Sequence, residues 1–264
     1  MKKILSLVLA AVVALSAAMV FASCSGSDSG SDSSDLDYVK KNGKLVVGIT
    51  DYEPMDYKDK DGSWIGFDAD FATSFAKDLG VKVEFVPIQW DNRFVELKSK
   101  SIDCIWNGMT ISDSVKTNCD VSKAYATNSQ VVVMKKDKLD KYADSAALKD
   151  ISIAVEKGSA GNDEAKKLTK NIIALSAQSD AIKEVKAGTA DACIIDSTMA
   201  NSMTAEGKDF SDLGYKISLT TEEYGIGFRQ GSDLVAKVNE FIEKSNGDGS
   251  LKALSDKYYV NLAK

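Results

Sequence analysis

Two stretches of the chain superimpose without a gap: FVELKSKSIDCIWNGMT (94–110) over IKEVKAGTADACIIDST (182–198). Glu96 matches Glu184, Lys98 matches Lys186, Asp103 matches Asp191 and Thr110 matches Thr198. Helix–turn–strand units share such patterns by chance, but equal spacing along the whole stretch favours two similar lobes. That constraint is strong. It predicts that the chain folds as a unit and then folds much the same unit again.

The segments around each copy agree with this. LVVGI (45–49) is a buried-strand pattern, and FDADFATSFAKDLG sets Phe67, Phe71, Phe75 and Leu79 four apart before a stop at Gly80, which predicts a helix. VKVEFV (81–86), a helix carrying Phe94 and Leu97 with Asp91 as its cap, and IDCIW (102–106) complete a β-α-β-α-β run, the pattern of a parallel sheet covered by helices. The order recurs as ISIAVEKGS (151–159), a helix from Asn162 to Leu168, NIIAL (171–175), DAIKEVKAG (180–188) and ADACIID (190–196). SQVVVMKK (129–136) and TEEYGIGFR (221–229) are extended and suit two strands that cross between lobes. The last stretch then returns to the first lobe with Leu234, Val235, Val238, Phe241 and Ile242 on one helical face, followed by Leu251, Leu254 and Tyr258. The predicted fold is α/β, two similar lobes with central, mostly parallel sheets joined by two crossing strands. The first lobe is expected over residues 36–132 plus 226–264 and the second over 133–225.

The chain begins MKKILSLVLAAVVALSAAMVFASCSG. Two lysines precede an apolar run from Ile4 to about Phe21, then Ala22-Ser23-Cys24. The run approaches the length of a membrane span, but a cysteine directly after small residues marks an export leader over residues 1–23. The stretch resembles a bacterial lipobox, with Phe21 in the place usually held by leucine, and that resemblance implies lipidation at Cys24. After Cys24, residues 25–35 are only Ser, Gly and Asp, with no apolar residue, which predicts a flexible tether over 24–35. The expected placement is extracytoplasmic, held to the outer face of the cell membrane by lipid.

Without the leader, 31 basic residues face 39 acids, a net charge near −8, which argues against a duplex-binding surface. The sequence has no histidine, so a Ser–His or Cys–His nucleophile is excluded and the commonest metal ligand is missing. Cys104 and Cys193 lie inside apolar runs and suit core positions better than a disulfide or metal site. No metal, cofactor or catalytic residue is expected.

In open parallel sheets ligands sit outside the carboxyl ends of the strands. Those ends are TDYEPM (50–55), PIQW (87–90), WNGMT (106–110), EKGSAG (156–161) and IIDS (194–197). They supply aromatic surface at Tyr52 and Trp90, backbone amides near Gly108 and Gly158, a hydroxyl at Thr110, and acids at Asp51, Glu156 and Asp196. This mixture suits a small zwitterion, with an ammonium on a buried carboxylate, a carboxylate on N–H groups at a helix start and an aliphatic stem between aromatic rings. Trp90 suits a core position before a helix equally well, and Asp196 has the competing role of a helix cap. Asp103 and Asp191 suit turn or strand-start roles.

From about Leu45 to Val260 the chain resembles the extracellular solute-binding proteins of polar amino-acid ABC importers. GFDADFA (66–72), DCIWNGMTIS (103–112), EKGSAG (156–161) and DACIID (191–196) carry the resemblance in order. It implies a cleft between lobes that closes on one amino acid, a monomer, and an ABC permease with its ATPase as partners. Carried over by position, it implies ligand contacts at Tyr52 and Trp90, at Asn107, Gly108 and Thr110, at Glu156 and Ala160, and at Asp196 for the ligand's ammonium; Asp51 is the least certain register. The family's carboxylate-forking arginine falls on Val115, which cannot do that work. Either helix-start amides with Asn107 and Thr110 hold the carboxylate, with Lys116 or Arg93 reaching in, or the ligand lacks a free α-carboxylate. A lost charged donor costs roughly 1.5–3 kcal/mol. A dehydratase-like enzyme acting on small acids and a ligand-sensing module for a membrane receptor are the alternatives on the same fold.

Overall fold

The computed structural model describes residues 34–264. The expected leader, Cys24 and nearly all of the expected tether lie outside the described residues. Asp35, placed at the end of the tether, instead begins helix α1 (Asp35–Asn42) and pairs with Arg229 at 3.0 Å.

The first sheet runs β4-β1-β5-β13-β6, with β7 also on β13. β1 (Lys44–Ile49) lies parallel to both β4 (Lys82–Pro87) and β5 (Cys104–Thr110), while β13 (Glu222–Phe228) pairs antiparallel with β5, β6 (Asp120–Val121) and β7 (Ala126–Asn128). The second sheet, β10-β9-β11-β8-β12, repeats the plan. β9 (Ile153–Glu156) is parallel to β10 (Ile172–Leu175) and β11 (Ala192–Asp196), and β8 (Gln130–Lys135) is antiparallel to β11 and to β12 (Leu213–Ser218). β2 (Tyr57–Lys58) and β3 (Trp64–Ile65) form a separate two-stranded ribbon. The crossings fall at Ser129, between β7 and β8, and at residues 219–221, between β12 and β13. Residues 130–132 thus belong to the second sheet and 222–225 to the first, which displaces the lobe boundaries by a few residues from 132/133 and 225/226. A strand's apolar run shows that it is buried, but not which sheet takes it.

The two lobes repeat each other in detail. Asp103 accepts from the Val46 amide at 2.9 Å, and the Asp103 amide donates back to the Val46 carbonyl. Asp191 does the same with Ser152, accepting its amide at 3.1 Å and donating to its carbonyl. These matched aspartates staple neighbouring parallel strands at their starts. Arg229 adds its own bridge to Asp103, so it braces the outside of the first lobe, away from any ligand.

Helix α2 (Phe67–Leu79) forms over the predicted span and ends where Gly80 takes a left-handed conformation, φ 78°, that carries its amide back to the Ala76 and Lys77 carbonyls. Its aromatic face packs Phe71 edge-on against Trp106 (5.2 Å between centroids) and beside Phe241 (5.2 Å) of α8 (Leu234–Gly247). With α9 (Ser250–Tyr258), the C-terminal stretch returns to the first lobe as expected. In the second lobe Ser159 caps α5 (Ala160–Leu168), accepting the Asn162 amide at 3.1 Å, so the helix begins directly after strand β9 and its turn. Asp91 caps nothing: a short 3₁₀ turn (Trp90–Asn92) precedes α3 (Arg93–Lys98), and the Asp91 carboxylate turns toward the other lobe.

Candidate functional site

The carboxyl ends of both sheets open on one cavity of about 300 Å³, at the small end of the roughly 300–1,000 Å³ usual for small-molecule sites. Trp90 and Val115 line it from the first lobe, Glu156, Ala160 and Asp196 from the second, and Gln130 and Glu222 from the crossings. Trp90 is 7% exposed and packs in a cluster with Val115, Ile105, Met109 and Leu97. Val115, 4% exposed, is therefore part of the cavity's apolar wall.

Asp196 occupies the position before α7 (Ser197–Met203), yet its side chain does not cap that helix. One oxygen accepts from the side-chain amides of Asn128 and Gln130 (2.6 Å), the other from Gln178. Burial and, after it, the charge of Glu222 push its carboxyl up to about 6, while the Gln178 amide, the Tyr224 hydroxyl and the Gln130 amide favour the ionised form. Glu222 shares the same donors: Gln130 at 3.0 Å and Asn128 at 3.3 Å, with hydroxyls of Thr110 and Thr220 each at 3.0 Å. Asn128 and Gln130 thus hold two acids side by side. Glu156, 2% exposed, has one buried oxygen without a hydrogen-bond partner among the described residues. Burial first, with Asp196 adding to it, holds its carboxyl well above the usual carboxylate range, against the pull of Arg93.

Arg93 is the cation closest in kind to the guanidinium that position 115 lacks. Its planar head lies between two rings, 4.6 Å from the centroid of Trp90 and 4.3 Å from that of Phe94. Its Nη1 donates to the carbonyls of Trp90 (2.7 Å) and Gly158 (3.2 Å). Gly158 belongs to the second lobe, so this contact crosses the cleft. Asp91 to Lys157 (2.7 Å) and Glu53 to both Ser202 (3.0 Å) and Lys208 (3.1 Å) cross it too. The lobes are closed on one another. Exposed pairs of this type contribute roughly 0–1 kcal/mol each, so they bias closure without enforcing it.

Of the other positions expected at the site, three line the cavity with their polar groups committed elsewhere, and two stand behind it or beside it. Tyr52 is a core residue, 1% exposed, with its hydroxyl 2.6 Å from that of Tyr224; the chain turns back at Tyr52–Asp56 and buries the ring under Gly108. Gly108 lines the cavity at φ 55°, and a Cβ there would fall 2.6 Å from the Tyr52 ring, which is why glycine is required. Its amide, expected to be offered to a ligand, donates to Asp68 at 2.6 Å. Asn107 lines the cavity but uses its side chain on Thr50 and Asp56, bracing strand β5 against β1. Thr110 lines the cavity but donates its hydroxyl to Glu222. Asp51 is exposed and borders a different groove of about 480 Å³ with Glu53, Tyr57 and Met203. Gln130, Gln178 and Glu222 carry one sequence signal, a polar residue at the first position of a strand or helix with no obvious partner nearby in the chain.

Beneath Asn107 and Gly108 lie two fully buried acids. Asp56 and Asp68 each hold one oxygen without a partner among the described residues. Burial raises both: Asp68 up to about 7, and Asp56 well above the usual range with the Asp68 charge adding to the effect. An acid raised in the folded state keeps its proton there over a pH range where the unfolded chain has lost it. Its stabilisation is therefore present at low pH and is lost as pH rises from about 4 through 7. Asp56→Asn keeps an acceptor for Asn107 and removes one of the two charges. We expect its Tm to match wild type at pH 5 and to exceed it at pH 8 by roughly 2–4 °C, about 1 kcal/mol for a domain of this size. A thermal melt at the two pH values checks this, and an equal change at both would contradict it.

Residues 45–261 match the family model described as bacterial extracellular solute-binding proteins, family 3. The L-cystine-binding protein TcyJ of Escherichia coli (strain K12) is 29% identical over 228 residues, covering 85% of each chain. The arginine-binding extracellular protein ArtP of Bacillus subtilis (strain 168) is 31% identical over 233 residues, 82% of this chain and 86% of that one. A crystal structure of the ancestral amino acid-binding protein AncCDT-1, a precursor of cyclohexadienyl dehydratase, superimposes with a TM-score of 0.79 at 35% identity, covering 85% of this chain and 99% of that one. With a match over most of its length and the two-lobed fold in place, this chain belongs to the bacterial extracellular solute-binding proteins of family 3.

Proposed function

We propose that the interlobe cavity captures one small polar solute, an amino acid or a close derivative, and that the closed protein delivers it to an ABC permease powered by an ATPase. The single observation that carries this reading is that Trp90 and Asp196, more than a hundred positions apart, line the same cavity from opposite lobes. The relatives are named for cystine and arginine binding, which supports a ligand of that size and polarity. The apolar wall of Trp90 and Val115 packs the ligand's stem. Asp196, already fixed by three amides, receives its ammonium, and the start of α5 at Ala160 faces its other end.

The lipobox at Cys24 and the tether that follows support a lipid-anchored protein working outside the cytoplasmic membrane, as a monomer. Among the described residues no helix is long and apolar enough to cross a membrane. Cys24→Ser is expected to release the protein from the membrane fraction, and membrane retention of that variant contradicts the anchor.

A thermal-shift screen over amino acids, amines and short peptides tests the binding reading. A ligand at a hundred times its Kd stabilises by about 2.7 kcal/mol, which is a rise of roughly 5–10 °C for a domain of this size. No shift with any amino acid or amine, or turnover of a small acid, contradicts it.

A further inference from the structure

The cavity's polar groups are unevenly matched. Three acids that line it, Glu156, Asp196 and Glu222, are 2%, 3% and 9% exposed. The one lining cation buried to a similar degree, Arg93, is 9% exposed; its head is sandwiched between two rings, its Nη1 faces backbone carbonyls, and its Nε is buried without a hydrogen-bond partner among the described residues. Lys167, the other lining cation, is paired with Glu164 at 2.5 Å. The neutral donors are engaged as well. Gln130 and Gln178 serve Asp196, Thr110 serves Glu222, Ser159 donates to the Glu156 carbonyl, and the Gly108 amide goes to Asp68. The hydroxyls of Ser112 and Ser114 and the first amides of α5 remain, and none of these carries a full charge. One lining acceptor, an oxygen of Glu156, is buried with no partner among the described residues. A buried acid in that condition calls for a donor, and a charged one best.

We propose that the ligand is a net-cationic solute recognised through its ammonium or guanidinium groups, and that its carboxylate, where it has one, is dispensable. This rests on the cavity being the ligand site. One charged end meets Asp196 and Glu222, and the second meets Glu156. A carboxylate finds the partial positive charge of the α5 start and one guanidinium already clamped between rings and held by carbonyls, against three buried acids, so removing it costs less than removing a cationic group. Removing a cationic group strands a buried acid.

Isothermal titration of the full chain with two matched sets separates the contributions. The sets are lysine, cadaverine and norleucine, and arginine, agmatine and citrulline. In at least one set the amino acid and its carboxylate-free amine are expected to bind within tenfold of each other, with the neutral analogue at least a hundredfold weaker. Glu156→Gln is expected to lower affinity for the cation at least tenfold while circular dichroism and Tm show an intact fold. Unchanged affinity in that variant overturns the proposal. So does a hundredfold loss on removing the carboxylate in both sets. Binding confined to neutral or acidic amino acids overturns it and leaves the cavity reading standing. The absence of any binding among amino acids and amines overturns both.

Discussion

Asp196→Ala is expected to weaken ligand binding at least tenfold, and Trp90→Ala to do the same from the other lobe. Asp196 brings a buried carboxylate to the end of β11, and side-chain amides from three other positions hold it there. A charged hydrogen bond of this kind contributes about 1.5–3 kcal/mol, which is about 10- to 150-fold in affinity. The same substitution leaves the amides of Asn128, Gln130 and Gln178 without their acceptor, so the fold loses stability too, by about 1–3 kcal/mol. Affinity must therefore be measured well below each variant's own Tm. Trp90 forms apolar wall on the cavity side and one of the two rings that clamp Arg93. Its truncation removes packing for the ligand and loosens the one guanidinium that crosses the cleft. Unchanged Kd in both variants by titration calorimetry would contradict the site.

Gly158→Ala is expected to hold the lobes apart. Gly158 sits at φ +75°, where an alanine is strained by about 1–2 kcal/mol in any state of the protein. A second effect, specific to the closed form, comes from its surroundings. A Cβ there would lie 3.0 Å from the Cβ and 3.1 Å from the Cα of Asp91, on the opposite lobe, and the second of these is backbone that cannot swing away. The clash exists only when the lobes meet, so it penalises the closed form selectively. Arg93 would lose its grip on the Gly158 carbonyl, and Lys157 its reach to Asp91. Because a ligand's apparent affinity falls with the fraction of closed protein, Kd should rise at least tenfold. In small-angle scattering, the compaction that ligand induces in wild type should shrink or disappear. Full compaction with wild-type affinity would contradict this account of closure.

The fold was legible wherever a local rule sufficed. The phenylalanines of α2 follow the helical period and stop at a glycine that takes the left-handed turn its position requires. The internal repeat foretold two sheets of the same plan, and its paired aspartates, set aside as structural, are the strand staples Asp103 and Asp191. Trp90, Glu156, Ala160 and Asp196, expected at facing strand ends, line one cavity.

What stayed hidden depends on contacts between distant residues. Tyr52 follows strand β1 as a cleft residue would, yet the return of the chain at Asp56 folds it under Gly108. The Gly108 amide looked free because its partner, Asp68, lies 40 positions away on the aromatic helix. From the sequence Arg93 is one of two cations able to reach the cleft, with Lys116; helix α3 starts at the mouth of the cleft and its first side chain, Arg93, turns inward, which helical position alone does not reveal. Gln130 and Glu222 stand on crossing strands, where burial is decided by both lobes together and no single periodicity records it.

The central claim is that Trp90 and Asp196 hold one molecule between them. A crystal structure of the protein with whichever cationic solute gives the largest thermal shift tests it most directly. The account predicts that solute enclosed between the Trp90 ring and the Asp196 carboxylate, with a nitrogen within hydrogen-bond distance of Asp196. A ligand seated elsewhere, for instance in the groove beside Asp51, with the Trp90–Asp196 cavity left to solvent, would contradict it.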